Sequence, residues 1–245
     1  MVHFVDLAAL CSVPRSIMAI SNQTALDTNE TPPSGAKLNR AEKAEATRTR
    51  ILDAAIEVIG ELGFAGASIA RIAERAGIAQ GTFYNYFESR QILLDELLPM
   101  ISIELYDHVR ERVMSAADNP IARERARITA FFEFLSDTPH LFAMLHEGEF
   151  HSRAGFSRHV EMQTASYERA MLYEMRRGNL KITDPDKLHV VIRMVMSARD
   201  YLSAHYCMRD GQVVAPPSHV VDTYMEFVTA GLFAEPWNGG SECKT

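Results

Sequence analysis

The stretch QGTFYNYF, Gln80 to Phe87, sets two amides, a hydroxyl and two phenols beside two phenylalanines four positions apart. Positions four apart share one face of a helix. Phe83 and Phe87 therefore point together toward a core supplied by Ile51, Val58 and Ile72. Gln80, Thr82, Tyr84 and Asn85 cannot share that face. They remain as donors and acceptors near the helix start, a chemistry suited to base edges and phosphate oxygens. Gly81 adds a position without a side chain, where another backbone can approach closely.

Two other clusters carry chemistry. In HLFAMLHEGEFH, His140, His146, Glu147, Glu149 and His151 are metal-ligand or acid–base types. No two of these histidines are three or four apart and there is no HExxH, so the reading is a solvated or ligand-facing cluster, with no metal, cofactor or catalytic residue expected. The second is basic: Lys37, Arg40, Lys43, Arg48 and Arg50 stand against Glu42 and Glu45, whereas the chain as a whole carries -7. That total excludes a protein that coats nucleic acid through bulk basicity. A local footprint is compatible with it, with Arg48 and Arg50 as candidate phosphate contacts on charge alone.

Cys11, Cys207 and Cys243 are too few and too scattered for a disulfide framework or a CxxC site, which fits a reducing cytoplasm. The apolar runs fall far short of the ~20 residues needed to cross a bilayer. The N-terminus resembles a signal peptide only weakly, since Asp6 interrupts its apolar run and no Lys or Arg precedes it. It reads as a non-exported tail, with Met18 as an alternative start.

The elements that must position these groups read as helices throughout. Ile51, Ala54, Ala55, Val58, Ile59 and Leu62 recur at three-four spacing, predicting a helix over 47–62 with Gly63 as its stop. Ser68 caps a second helix that ends at Gly77, and a third spans Gln80 to Phe87. A tight glycine turn between two short helices is the arrangement a helix-turn-helix needs. Downstream, the pattern predicts a helix from Ser89 to about Ala116, kinked or broken at Pro99. Further helices are expected over 121–135, over 139–147 with Thr138 as cap, over 156–177, from Asp184 to about Arg209, and from Ser218 to Phe233. No strand alternation is evident. The class is all-α: an N-terminal three-helix helix-turn-helix domain and a C-terminal helical domain. The divisions expected are a flexible leader over 1–44, the DNA-binding domain over 45–92, the helical domain over 93–234 and a flexible tail over 235–245.

The run from Arg50 to Leu94, with its amphipathic helix ending LGF, its hydroxyl-capped IAERAG helix and its GTFYNYF helix followed by a basic residue, resembles the DNA-binding domain of the TetR family of bacterial transcriptional regulators. The match covers about 45 residues; beyond Leu94 it is only architectural. The resemblance implies that Ser68 and its helix N-terminus meet a phosphate, that Gln80, Thr82 and Asn85 face the major groove, and that Tyr84 and Tyr86 reach phosphate or sugar. It also implies that Arg90, where relatives usually have Lys, holds the DNA backbone. Ala79 departs from the pattern, standing where many relatives have a capping Ser.

The same resemblance implies a homodimer through the last two long helices, whose apolar character points the same way. The middle helices would then enclose an effector pocket, walled by Phe131, Phe134, Phe142, Met144, Leu145, Tyr167, Met171 and Met194, with His146, Arg193 and Arg199 as polar contacts. The partners expected are a double-stranded operator, a small apolar, acyl or aromatic effector and a second copy of the chain, with no membrane. Two other readings stand beside this: a metal-dependent or acid–base enzyme that kept a helix-turn-helix, and a DNA-binding assembly factor without a ligand.

Overall fold

The structure is a computed structural model and describes residues 39–234. The expected tail, most of the leader, Lys37, Cys11 and Cys243 lie outside these residues. The first helix, α1 (Arg40–Gly66), begins well before the expected residue 47. Its start is fixed by a capping box: Asn39 Oδ1 accepts from the Glu42 N–H at 2.9 Å and the Glu42 carboxylate accepts from the Asn39 N–H at 2.7 Å. Periodicity could not show this turn because its residues face water. Gly63, at φ 69°, interrupts α1 at the predicted stop.

Helix α2 (Ile69–Arg75) is capped by Ser68, whose Oγ accepts from the Arg71 N–H at 3.4 Å. The turn after it passes through Gly77 at φ 65°, a left-handed geometry that suits glycine. Helix α3 (Gln80–Phe83) is shorter than the predicted 80–87. Ala79 supplies no side-chain cap, and beyond Phe83 the N–H groups of Asn85 and Tyr86 bond three residues back, to Thr82 and Phe83. The chain tightens into a turn there.

Helix α4 (Arg90–Ser115) runs through Pro99 as one element, so the boundary expected near residue 92 falls inside a helix. Next come α5 (Pro120–Asp137), capped by Asn119, then α6 (Pro139–His151) and α7 (Arg153–Arg176). Thr138 holds the N-cap position of α6 as expected, but its hydroxyl makes no capping bond there: it donates back to the Phe134 carbonyl at the end of α5. Helix α8 (Pro185–Tyr206) stops short of Arg209. Met208–Arg209 (β1) and Gln212–Val213 (β2) form a small antiparallel hairpin instead. Its turn, Asp210 and Gly211 at φ 52° and 75°, is the Asp-Gly signal of a tight hairpin. Helix α9 (Ser218–Leu232) completes the described chain.

Helix α4 is the spine, packed against α5, α6 and α7, while α1 lies on α2 and α6 and α9 covers α5 and α8. One hydrophobic core runs from Ile51 to Phe233 without a division between head and body. Two glycines allow close approaches. A Cβ at Gly60 on α1 would lie 2.6 Å from His140 Cβ, and one at Gly155 would lie 2.8 Å from the Asp95 carbonyl oxygen on α4.

Candidate nucleic-acid interface and effector cavity

The short α3 owes its orientation to its phenylalanines. Phe83 and Phe87 are 0% and 1% exposed, and their ring centroids are 5.7 Å apart. On the outer side Gln80, Gly81 and Asn85 are exposed, Thr82 is half-buried, and Tyr84 is 53% exposed with its ring edge-on to Phe83. Tyr86 is half-buried against the core. The inward and outward split read from spacing is therefore present, on four helical residues and the turn behind them. Ser68 is exposed at the N-terminus of α2.

The basic residues divide. Arg50 stays exposed, with only a 3.4 Å contact to Thr47 Oγ1. Arg48 is half-buried, ion-paired with Glu96 on α4 and lying 5.0 Å over the Phe87 ring. Arg90 donates from Nε to the Ala67 carbonyl at 2.5 Å and from Nη2 to the Phe64 carbonyl. Both arginines thus tie α1 and the residue that ends it to α4, a use their charge alone did not reveal. The sequence reading passed over Arg71, exposed in the first turn of α2 beside Ser68, where its Nη1 donates to the Gly66 carbonyl at 2.8 Å. Its signal was its place three residues after the cap.

Residues 51–97 match the family described as bacterial regulatory proteins, tetR family. Over those residues the chain carries a TetR-type segment. It is 42% identical over 69 residues to the uncharacterised HTH-type transcriptional regulator YvdT of Bacillus subtilis, covering 28% of this chain and 36% of that protein. It is 31% identical over 102 residues to the HTH-type transcriptional repressor KstR2 of Rhodococcus jostii, covering 42% and 49%. The chain thus matches less than half the length of these curated relatives. The crystal structure of the transcriptional regulator FadR from Bacillus subtilis, in complex with stearoyl-CoA, shares the fold at TM-score 0.58 and 19% identity, over 75% of this chain and 98% of that one. The TetR-type head accounts for the first three helices. The body has to be read from its own geometry.

In the body, a cavity of about 300 Å³ opens between α4, α5, α7 and α8. Of the candidate effector residues, Tyr167 and Arg199 line it. Phe131, Phe134, Phe142, Met144 and Met171 are buried in the core and do not line it, and Leu145 is packed against that core. Phe131 still takes part indirectly, since the Arg199 guanidinium lies 4.0 Å over its ring. Met194 is 60% exposed and Arg193, also exposed, donates to His189 at 3.0 Å, so the structure puts both on the outer face of α8 rather than in a pocket. The buried face of α8 runs through Leu188, Ile192, Val195 and Ser203 at three-four spacing, and neither residue falls on it. His146 Nδ1 donates to the Phe142 carbonyl at 2.8 Å, and its Nε2 lies 3.2 Å from Ser203 Oγ.

The histidine cluster does not converge. His140 packs on Gly60, His151 stacks on Phe64 at 4.8 Å, and Glu147 and Glu149 face water. Among the described residues no three His, Cys, Asp or Glu side chains are grouped to hold a metal ion. Cys207 is buried, and burial pushes its thiol up to about 11, so it stays protonated near neutral pH.

Behind the cavity lies a polar network that sequence gave no reason to seek. Glu124, 1% exposed, accepts from the Tyr167 and Tyr224 hydroxyls, each at 2.9 Å, and pairs with Arg127. Burial first, and the Glu124 charge second, raise both phenols well above their ordinary value, so they remain donors. The network ties α5 to α7 and α9. Nearby, Ser102 Oγ lies 2.6 Å from His159 Nδ1 and the Ser102 carbonyl accepts from Gln163 at 3.1 Å. Burial, with Arg199 adding to it, lowers His159 to about 4, so it is neutral at physiological pH.

Proposed function

We propose that the chain is a ligand-responsive, DNA-binding transcriptional regulator, in the simplest form a repressor that leaves its operator when an effector fills the cavity. The observation that carries the reading is the two-sided α3: Phe83 and Phe87 lock it from within while Gln80, Tyr84 and Asn85 stand free outside. Gln80, Thr82 and Asn85 would read base edges, with Gly81 admitting close approach. Ser68, Arg50, Tyr84 and Tyr86 would hold phosphate or sugar. Arg48 and Arg90 would keep the head rigid.

Dimerisation would follow from the outer face of the last helices. Val190, Met194 and Tyr201 on α8 and Phe227 on α9 are 57%, 60%, 72% and 68% exposed, an apolar display that a second copy would cover. Two heads about 34 to 36 Å apart would then meet successive major grooves of a pseudo-palindrome. Helix α4 is the natural lever, since it runs unbroken from Arg90 at the head to Tyr106 and Val113 at the cavity. An effector that binds the spread form better by ~1 to 3 kcal/mol suffices for such coupling. Regulators of this kind act in the cytoplasm; among the described residues no helix is long and apolar enough to cross a membrane.

The test is a salt titration of binding to DNA from the region upstream of the chain's own gene, with Tyr84→Ala as comparison. The reading requires tighter binding than to random DNA, a steep fall with salt and a weaker variant. Equal affinity for both DNAs would overturn it.

A further inference from the structure

The cavity between α4, α5, α7 and α8 has a one-sided charge inventory. Four arginines line it, Arg110, Arg127, Arg169 and Arg199, and none of its lining residues is acidic. Two are neutralised from behind, Arg127 by Glu124 and Arg199 by Asp200 at 2.9 Å. Arg110 on α4 and Arg169 on α7 have no ion-pair partner among the described residues and both are exposed. Two uncompensated positive charges therefore stand at the opening, on a chain whose total is -7.

The inner polar groups are already satisfied. The Tyr167 hydroxyl is given to Glu124 and the Gln163 amide to the Ser102 carbonyl. His159 beneath them is neutral. What the interior offers a ligand is the apolar wall of Val109, Val113, Ala170 and Met196. Like charges gathered at the mouth of such a low-dielectric cleft focus their field on it, and a guanidinium fork matches carboxylate or phosphate oxygens in pairs.

We propose that this cavity binds an organic anion, with its carboxylate or phosphate held by Arg110 and Arg169 and its apolar body lying against Val109, Val113, Ala170 and Met196. A cationic effector is excluded by the same inventory. As an account of the effector, this rests on the regulator reading; as a binding site it does not.

The experiment compares two fluorescent probes on the full chain: 8-anilinonaphthalene-1-sulfonate and N-phenyl-1-naphthylamine, the same aromatic body with and without the anion. The sulfonate is expected to bind tightly at one site per chain. Arg110→Gln with Arg169→Gln is expected to weaken it about tenfold, the scale of a lost charge-assisted contact, and to leave the neutral amine unchanged. Equal binding of the two probes, or a sulfonate Kd unmoved by the double variant, would overturn the proposal. Displacement of the sulfonate by decanoate assigns a free acid, and displacement by decanoyl-CoA alone assigns a phosphate-bearing thioester. Displacement by decanol as effective as by decanoate would contradict an anion site. Both substituted arginines are exposed, so the double variant should bind operator DNA like the wild type. Arginine-dependent probe binding by a chain that never prefers operator DNA would sink the regulator reading and leave the anion site standing.

Discussion

Glu104 on α4 and Asp53 on α1 place two carboxylates in the joint between head and spine, and each has an oxygen, Glu104 Oε2 and Asp53 Oδ1, buried without a hydrogen-bond partner. Burial, followed by the charges of Asp53 and Asp107, pushes Glu104 up to about 7. Burial, then Glu57, also raises Asp53. A carboxyl whose folded pKa exceeds its unfolded value of 4.5 holds its proton better in the native state. Its ionisation therefore removes stability as pH rises from about 4.5 to about 7, and the loss is complete above that. A tenfold change in proton affinity is worth about 1.4 kcal/mol, which sets an upper bound of about 3 kcal/mol. Solvent screening at this half-buried position reduces the figure to ~1 to 2 kcal/mol. Glu104→Gln keeps the shape and removes the titration. Urea unfolding of both proteins between pH 5 and 8.5 should show nearly equal stability at the acid end, with the variant gaining ~1 to 2 kcal/mol by the alkaline end. A difference that does not change with pH, or a variant less stable at pH 8, would refute the reasoning.

Arg90→Ala should lower the unfolding free energy by about 1 to 3 kcal/mol, because the Ala67 and Phe64 carbonyls each lose a charged donor, Phe64 keeping only the Ala67 N–H. Arg90→Lys should recover only part of this, since one ammonium cannot match the fork. Because the side chain is committed to the protein, the salt slope of operator binding should stay at the wild-type value, whereas loss of a phosphate contact would reduce it by about 1. Glu124→Gln should cost about 3 to 5 kcal/mol, as expected when a buried partner of Arg127 is removed. Tyr224→Phe should cost ~1 kcal/mol, the value of one hydrogen bond, and chemical denaturation of each variant checks both figures. If Glu124→Gln were no worse than Tyr224→Phe, Arg127 would not depend on that carboxylate.

What the sequence made legible was set by periodicity and punctuation. Phe83 and Phe87 at four-residue spacing, Gly63 and Gly77 as stops, and Ser68 and Asp184 ahead of helical runs all found the places expected of them. The first turns of α1 were hidden because a capping box of Asn39 and Glu42 leaves no apolar trace. Helix α3 ends earlier than expected because the N–H groups of Asn85 and Tyr86 bond three residues back, a tightening that side-chain spacing does not register. Of the cavity's lining only Tyr167 and Arg199 were legible, for a different reason. Its arginines, Arg110, Arg127, Arg169 and Arg199, lie on four different helices, and only packing brings them together. Buried aromatic residues were the obvious pocket candidates, yet Phe134 and Phe142 fill the core.

The central claim is that α3 reads bases, and the most direct measurement is the ratio of operator to random-DNA affinity for wild type and Asn85→Ala across a salt series. A base-reading Asn85 predicts that the variant loses about 1 to 3 kcal/mol of discrimination while its salt slope stays the same. Equal loss on operator and random DNA, or no loss on either, would contradict the account.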